Sequence, residues 1–440
     1  MPALGSTFGR VLRPIFKMVV LLAIVGLCQP AEAQIKLDAP PINYWETAPN
    51  DAIAKLQKRL DGGEAKLEFE PHFGYLRGLL KQLQVPVSSQ GLVFSKTSLQ
   101  VKFISPRSPR AIYFNDDVYV GWVPGGHIEI SAVDPQLAAN FYLMLQQDLA
   151  RPKIVRHHYE CLQCHASVMT REVPGHVVRS VPAGPDGHVI ASGKSFLSDH
   201  NSPLQERWGG WYVTGEHGNQ RHLGNMFFKP SQDVLDLEPG ANVTDLSRWF
   251  DTSKHLSVHS DIVALMVLEH QVNMHNRIAR AGFLVKAALL DEANVKKDQS
   301  ESIVEREQDT VFAIRQAAEP VVEHLLFANE IPLTAKIVGK SGFTEEFGQR
   351  GPRDGRGRSL RDLDLQTRLF KYPCSYVIYS AAFDQLPREL KDEIYRQLWR
   401  ALQAPTKDER FRQLSAADRQ AIVEIVRETK RDLPAEWQPK

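Results

Sequence analysis

The chain is poor in cysteine, with four in 440 residues. A disulfide-stapled scaffold is therefore excluded, and so is a zinc ribbon, which needs two thiol pairs. Charge of one sign is also lacking, since 53 Lys+Arg face 52 Asp+Glu. No basic footprint for nucleic acid is present. Long hydrophobic runs are missing too: the most apolar stretch, Met18 to Leu27, is far short of the ~20 residues that cross a bilayer. No internal repeat and no appended output domain is visible, which leaves little room for a sensor.

What is there begins with that short run. Arg10, Arg13 and Lys17 precede it, and Ala31-Glu32-Ala33 follows at the spacing of a cleavage site. Residues 1–33 read as a secretory signal peptide, and the mature chain is expected in the periplasm with no transmembrane segment. Cleavage would leave 50 Lys+Arg against 51 Asp+Glu and would remove Cys28, so no internal disulfide framework remains. Cys374, among apolar neighbours, reads as a buried inert thiol.

Periodicity divides the mature chain in two. Residues 34–252 read as a mixed region: an extended Pro-rich arm over 34–49, helices over 52–60 and 73–83, and a strand meander over 111–114, 118–123 and 127–132. Asp134-Pro135 is expected to open a helix through Phe141, Leu143 and Leu145, with further strands at 177–181 and 188–191. Residues 253–440 read as mainly helical, over 261–292, 302–326, 369–386, 391–402 and 416–429. The sum is an α+β fold. Arg350, Arg353, Arg356, Arg358 and Arg361 lie among glycines and read as a solvated loop, or as a dock for an anionic redox partner.

The chemistry is concentrated in Cys161-Leu162-Gln163-Cys164-His165. Two thiols one helical turn apart can both add to the vinyl groups of a haem while the adjacent imidazole reaches iron. A thioredoxin-like dithiol would instead want a strand-to-helix junction inside a βαβ unit, which the flanking residues do not supply. No second motif of this kind occurs.

Through Cys161, Cys164 and His165 the chain resembles c-type cytochromes. More broadly it looks like a large exported bacterial family of mono-haem cytochrome-c-domain proteins, carried by the motif, by Arg207-Trp208-Gly209-Gly210-Trp211-Tyr212 and by Pro373-Cys374-Ser375-Tyr376. The resemblance implies one covalent haem c, thioether bonds at Cys161 and Cys164, and iron ligation by His165. The motif by itself supplies redox capacity, so electron transfer with a redox protein partner or a small-molecule donor or acceptor is the expected activity.

The ligand opposite His165 decides between classes of function. Met169 and His176 are too near in sequence to cross to the far haem face. His270 and Met274 share an apolar helical stripe with Val263, Val267 and Ile278, and His222 lies in a loop with His217 and Met226. These three, His270, Met274 and His222, are the candidate distal ligands, the alternative being core or loop residues with no iron. An open position would instead favour a peroxidase-like haem oxidoreductase. Trp208 to Tyr212 could wall a haem edge or serve as core aromatics. Arg156, Arg179 and Arg207 could meet the propionates.

Overall fold

The structure, a computed structural model, describes residues 35–229, 235–298, 303–403 and 408–438. The expected signal peptide and Cys28 lie outside the described residues. Residues 35–440 form one compact unit, so the mixed and helical regions are not separate bodies.

Two helices, α1 (Ala52–Asp61) and α2 (Leu76–Leu83), precede an antiparallel sheet of seven strands. These are β1 (Gly91–Val93), β2 (Arg110–Phe114), β3 (Val118–Trp122), β4 (Ile128–Asp134), β5 (Ala138–Met144), β6 (Ile154–Arg156) and β9 (Trp211–Tyr212), in the order β6-β5-β4-β3-β2-β1-β9. Alternation sorts the side chains. Ala111, Tyr113, Val118 and Val120 face α1 and α2, whereas Phe114 and Tyr119 join the helical core on the other side.

The expected helix from Asp134 is β5, paired with β4 over seven residues from Asp134↔Ala138 to Ile128↔Met144. Asp134 does accept from the backbone N–H of Gln136 (2.8 Å) and Leu137 (3.0 Å), the bonds an N-cap would make. Here they close a hairpin turn, because aspartate offers the same bonds in both settings. Six of the seven β5 residues are buried, so the strand shows no alternation to read. Nor is the Pro-rich segment an extended arm. Its Tyr44 is fully buried and donates to the Ala139 carbonyl (2.8 Å).

Beyond β6 come α3 (Tyr159–His165) and a small ribbon, β7 (Arg179–Ser180) with β8 (Phe196–Leu197). The strand expected at 188–191 is reduced to one bridge, Ala183↔Val189. The long α4 (Ile262–Asp298) and α5 (Ile303–Leu325) then pack together, followed by α6 (Phe343–Gly348), α7 (Ala381–Asp384), α8 (Arg388–Leu402) and α9 (Ala416–Thr429). The helix expected over 369–386 shrinks to α7 and one 3-10 turn. Val93, Phe114, Tyr119, Trp208 and Trp211 share a single core with these helices. No helix among the described residues is long and apolar enough to cross a membrane.

Asp261 fixes where α4 starts. One oxygen accepts from Val263 (2.8 Å) and Ala264 (3.2 Å), the other from the N–H groups of Lys340 (2.5 Å) and Ser341 (2.8 Å). A cap alone is worth about 1 kcal/mol, and bonds to a charged acceptor about 1.5–3. Asp261→Ala is therefore expected to cost roughly 3 kcal/mol or more in urea unfolding. An unchanged midpoint would show that these four bonds carry no stability.

The arginine-rich loop is neither free nor uniformly solvated. Arg361 is buried against Asp116 and stacks over Tyr376 (4.2 Å). Arg353 pairs with Asp362 (3.0 Å), Arg356 with Glu424 (2.9 Å), and Arg358 with both Asp354 (2.7 Å) and Glu424 (2.8 Å). Glu424 and Asp116, distant in sequence, and Asp354 and Asp362, close by, neutralise part of what reads locally as a basic run.

Candidate haem site

The chain enters α3 from the edge strand β6, and Leu162 anchors the helix in a small core with Tyr44, Phe141, Val173 and Phe283. One turn apart, Cys161 lies half-buried against that core and Cys164 is exposed. Both thiols are free. Burial, helped by Glu129, pushes the Cys161 thiol up to about 11. A dithiol oxidoreductase requires the opposite shift, toward thiolate at neutral pH. Among the described residues no third Cys, His, Asp or Glu joins the two sulfurs at metal-ligand spacing.

His165 ends α3 and is held from both sides of its own residue. Its carbonyl accepts from the Gly175 N–H (2.8 Å), and its Nδ1 donates to the Gly175 carbonyl (2.8 Å). A donor at Nδ1 makes Nε2 the basic nitrogen, which is how a metal-ligating histidine is held by its outer partner. Burial holds the imidazole below its ordinary pKa, so the ring is neutral at pH 7. The ring packs on Phe141, with centroids 4.8 Å apart.

Gly175 is itself clamped by α4. Asn276 accepts from the His176 N–H (2.9 Å) and donates to the His176 carbonyl (2.8 Å). A Cβ at Gly175 would sit 2.3 Å from the Asn276 Oδ1, so only glycine fits there. The chain Asn276, His176 backbone, Gly175 carbonyl, His165 Nδ1 thus runs from the central helix to the expected iron ligand. Sequence reasoning missed it because Asn276 acts through backbone atoms, which leave no motif.

The expected distal ligands are not gathered at this site. His270 bonds His200 and Ser375, and Met274 is packed in the helical core. His222 accepts from the Gly224 N–H (3.0 Å) beside Trp208. His217, in the same loop, has both ring nitrogens bonded, to the Gln220 carbonyl and the Asn242 N–H. The first ten residues of α4 are all buried, so its apolar stripe gave no direction. Behind Phe141 the structure instead places His176 and His275, 6.2 Å apart, with His275 Nδ1 bonded to the Tyr119 hydroxyl (2.9 Å).

Of the three arginines, Arg207 is buried on Glu269 (3.2 Å) and the Ser202 carbonyl, and Arg156 holds the carbonyls of Tyr44 and Thr47. The Arg179 guanidinium lies 3.8 Å from the Met169 sulfur, with no carboxylate paired to it among the described residues. The aromatic strand belongs to the core. Trp211 donates to the Arg179 carbonyl (2.8 Å), Tyr212 to the Pro106 carbonyl (2.8 Å), and a Cβ at Gly209 would meet the Val181 carbonyl at 2.7 Å. Gly209 admits neighbouring backbone, and Gly210 admits the Ser95 side chain. Cys374 is buried and burial pushes its thiol up to about 12.

A haem fits the residues present. Two free thiols lie one turn apart, a neutral imidazole offers Nε2, and Val155, Tyr159 and Val168, which bracket the motif, leave apolar side chains 55%, 70% and 81% exposed. A porphyrin has the apolar face to cover such a collar. Comparison with protein-family models, with curated proteins and with solved structures finds no match to this chain, so any assignment rests on the chemistry of the site itself.

Proposed function

We propose that the protein is an exported mono-haem c-type cytochrome that transfers electrons. The observation that carries this reading is the His165 Nδ1 bond to the Gly175 carbonyl, which leaves Nε2 of a neutral ring as a ligand within one turn of two free thiols. Cys161 and Cys164 would each add an S–H across a vinyl group, sulfur to one carbon and hydrogen to the other. The bound group would supply reversible one-electron chemistry at iron. His165 would hold the iron through Nε2, Asn276 and Gly175 hold the orientation of its ring, and Arg179 would be the arginine to meet a propionate.

A second reading, a peroxidase-like haem oxidoreductase, is favoured by one observation: His270, Met274 and His222 are engaged in sites of their own. Visible spectra of the oxidised and reduced protein with and without carbon monoxide separate the two. A low-spin spectrum indifferent to carbon monoxide supports the carrier, and a high-spin one that shifts supports the enzyme.

The clamp gives a sharper expectation. A hydrogen bond at Nδ1 raises the basicity of the ligating nitrogen and so stabilises ferric iron. Asn276→Ala, which frees the His176 backbone, is expected to raise the reduction potential. A differential of about 1 kcal/mol corresponds to roughly 40 mV for one electron. Spectroelectrochemistry decides it, and an unmoved or lowered potential would remove Asn276 from this role.

A further inference from the structure

Three imidazoles from distant parts of the chain, none of them used at the haem site, meet in the core beside α4. His200 follows β8, His270 lies in the third turn of α4, and His324 is near the end of α5. All three are at least 97% buried. One ring nitrogen of each lies within 4.8 Å of the others, and His200 Nδ1 and His270 Nδ1 are 3.2 Å apart. A tetrahedral ion with metal–nitrogen bonds of ~2.0 Å sets its ligand atoms about 3.3 Å apart.

Two of the rings are also held from outside. His270 Nε2 bonds the Ser375 hydroxyl (2.7 Å), and His324 Nε2 bonds the His270 carbonyl (3.2 Å). Metal-ligating histidines are held in this way through their second nitrogen. Phe327 stacks on His270 at 4.2 Å, and the His270 and His324 rings are parallel within 5°.

The independent sign is His324 Nδ1, which is buried without any partner. An unsatisfied polar atom in a dry core is destabilising, and a coordinate bond would offset that cost. Burial also keeps all three rings neutral, the form that binds metal.

We infer that His200, His270 and His324 form a binding site for one transition-metal dication, coordinated through a ring nitrogen of each. Three imidazoles with no carboxylate or thiolate suit zinc and copper and do not suit magnesium or calcium. The site is separate from the two thiols and His165, so its failure leaves the haem reading untouched.

The test uses the haem-bearing protein, unfolded and refolded with either a chelator or one equivalent of Zn2+, then desalted. Zinc is counted against haem absorbance. We expect one zinc per chain and a raised thermal midpoint in the wild type. His200→Gln and His324→Gln should retain none while keeping the haem spectrum, and Ser375→Ala should bind about tenfold more weakly. Zinc-edge X-ray absorption on the wild type counts the ligands without any variant. Three histidine neighbours support the site and fewer overturn it. It is also overturned if the wild type retains no more zinc than His200→Gln and His324→Gln, or if zinc leaves the midpoint unmoved.

Discussion

With Cys161 and Cys164 both replaced by serine, protein made alongside working haem-attachment machinery is expected to carry no covalent pigment. Acid-acetone should strip any residual colour, and the intact mass should be that of bare polypeptide. The loss is total because the thioether sulfur is the bond itself, and a hydroxyl does not add to a vinyl group under the same conditions. The fold should survive, since Cys164 is exposed and Cys161 half-buried, and serine differs from cysteine by one atom. Either single variant should keep pigment through the remaining sulfur. His165→Ala should stay covalently coloured but lose the spectrum of an axial imidazole. A wild-type protein that emerges without the mass of one haem would end the cytochrome reading, as would a double serine variant that holds its colour through extraction.

The second large effect is a stability maximum near neutral pH. Seven histidines, His176, His200, His217, His222, His270, His275 and His324, are at least 95% buried, and burial depresses every one of them below the ordinary pKa of ~6.5. A depressed group keeps its stability above the unfolded pKa and loses it as pH falls, because the unfolded chain then binds protons that the folded chain refuses. Four carboxyls act in the opposite sense. Burial pushes Glu269 up to about 8 despite Arg207, Glu330 up to about 7, Asp117 up to about 6, and Asp51 above its ordinary value. Their folded forms hold protons the unfolded chain has released, so they lose stability as pH rises from ~4.5 through those values.

Each net proton by which one set outweighs the other is worth roughly 1.4 kcal/mol per pH unit, and below neutrality the histidines lead, so stability falls with acid. Above neutrality the carboxyls lead and stability falls again. Urea midpoints from pH 5.5 to 8.5 measure the curve. A flat profile, or one that improves steadily with acid, would mean that the buried imidazoles are not neutral in the folded state.

Much of the fold was legible where one face of an element is exposed. The helices at 52, 391 and 416 begin within three residues of where periodicity puts them, and the meander at 111, 118 and 127 is present. Legibility failed where burial is complete. In β5 the neighbours on both faces erase alternation, and at Asp134 a turn and a helix cap share the same hydrogen bonds. The motif at Cys161 was legible because its spacing is local. The Gly175 and Asn276 clamp was not, since it joins residues 100 positions apart through main-chain atoms. His270 stood out in the sequence as a candidate distal iron ligand on an apolar stripe, but its ring meets His200 and His324 instead, which no local pattern reveals.

His270 and Asn276 stand six residues apart on one helix, an axial rise of roughly 9 Å. A rod gripped on every side over its opening turns neither stretches nor slides, so the gap between the imidazole cluster and the main chain steadying His165 is a constant of the molecule. Charge placed at one end is felt at the other through a medium that screens far less than water.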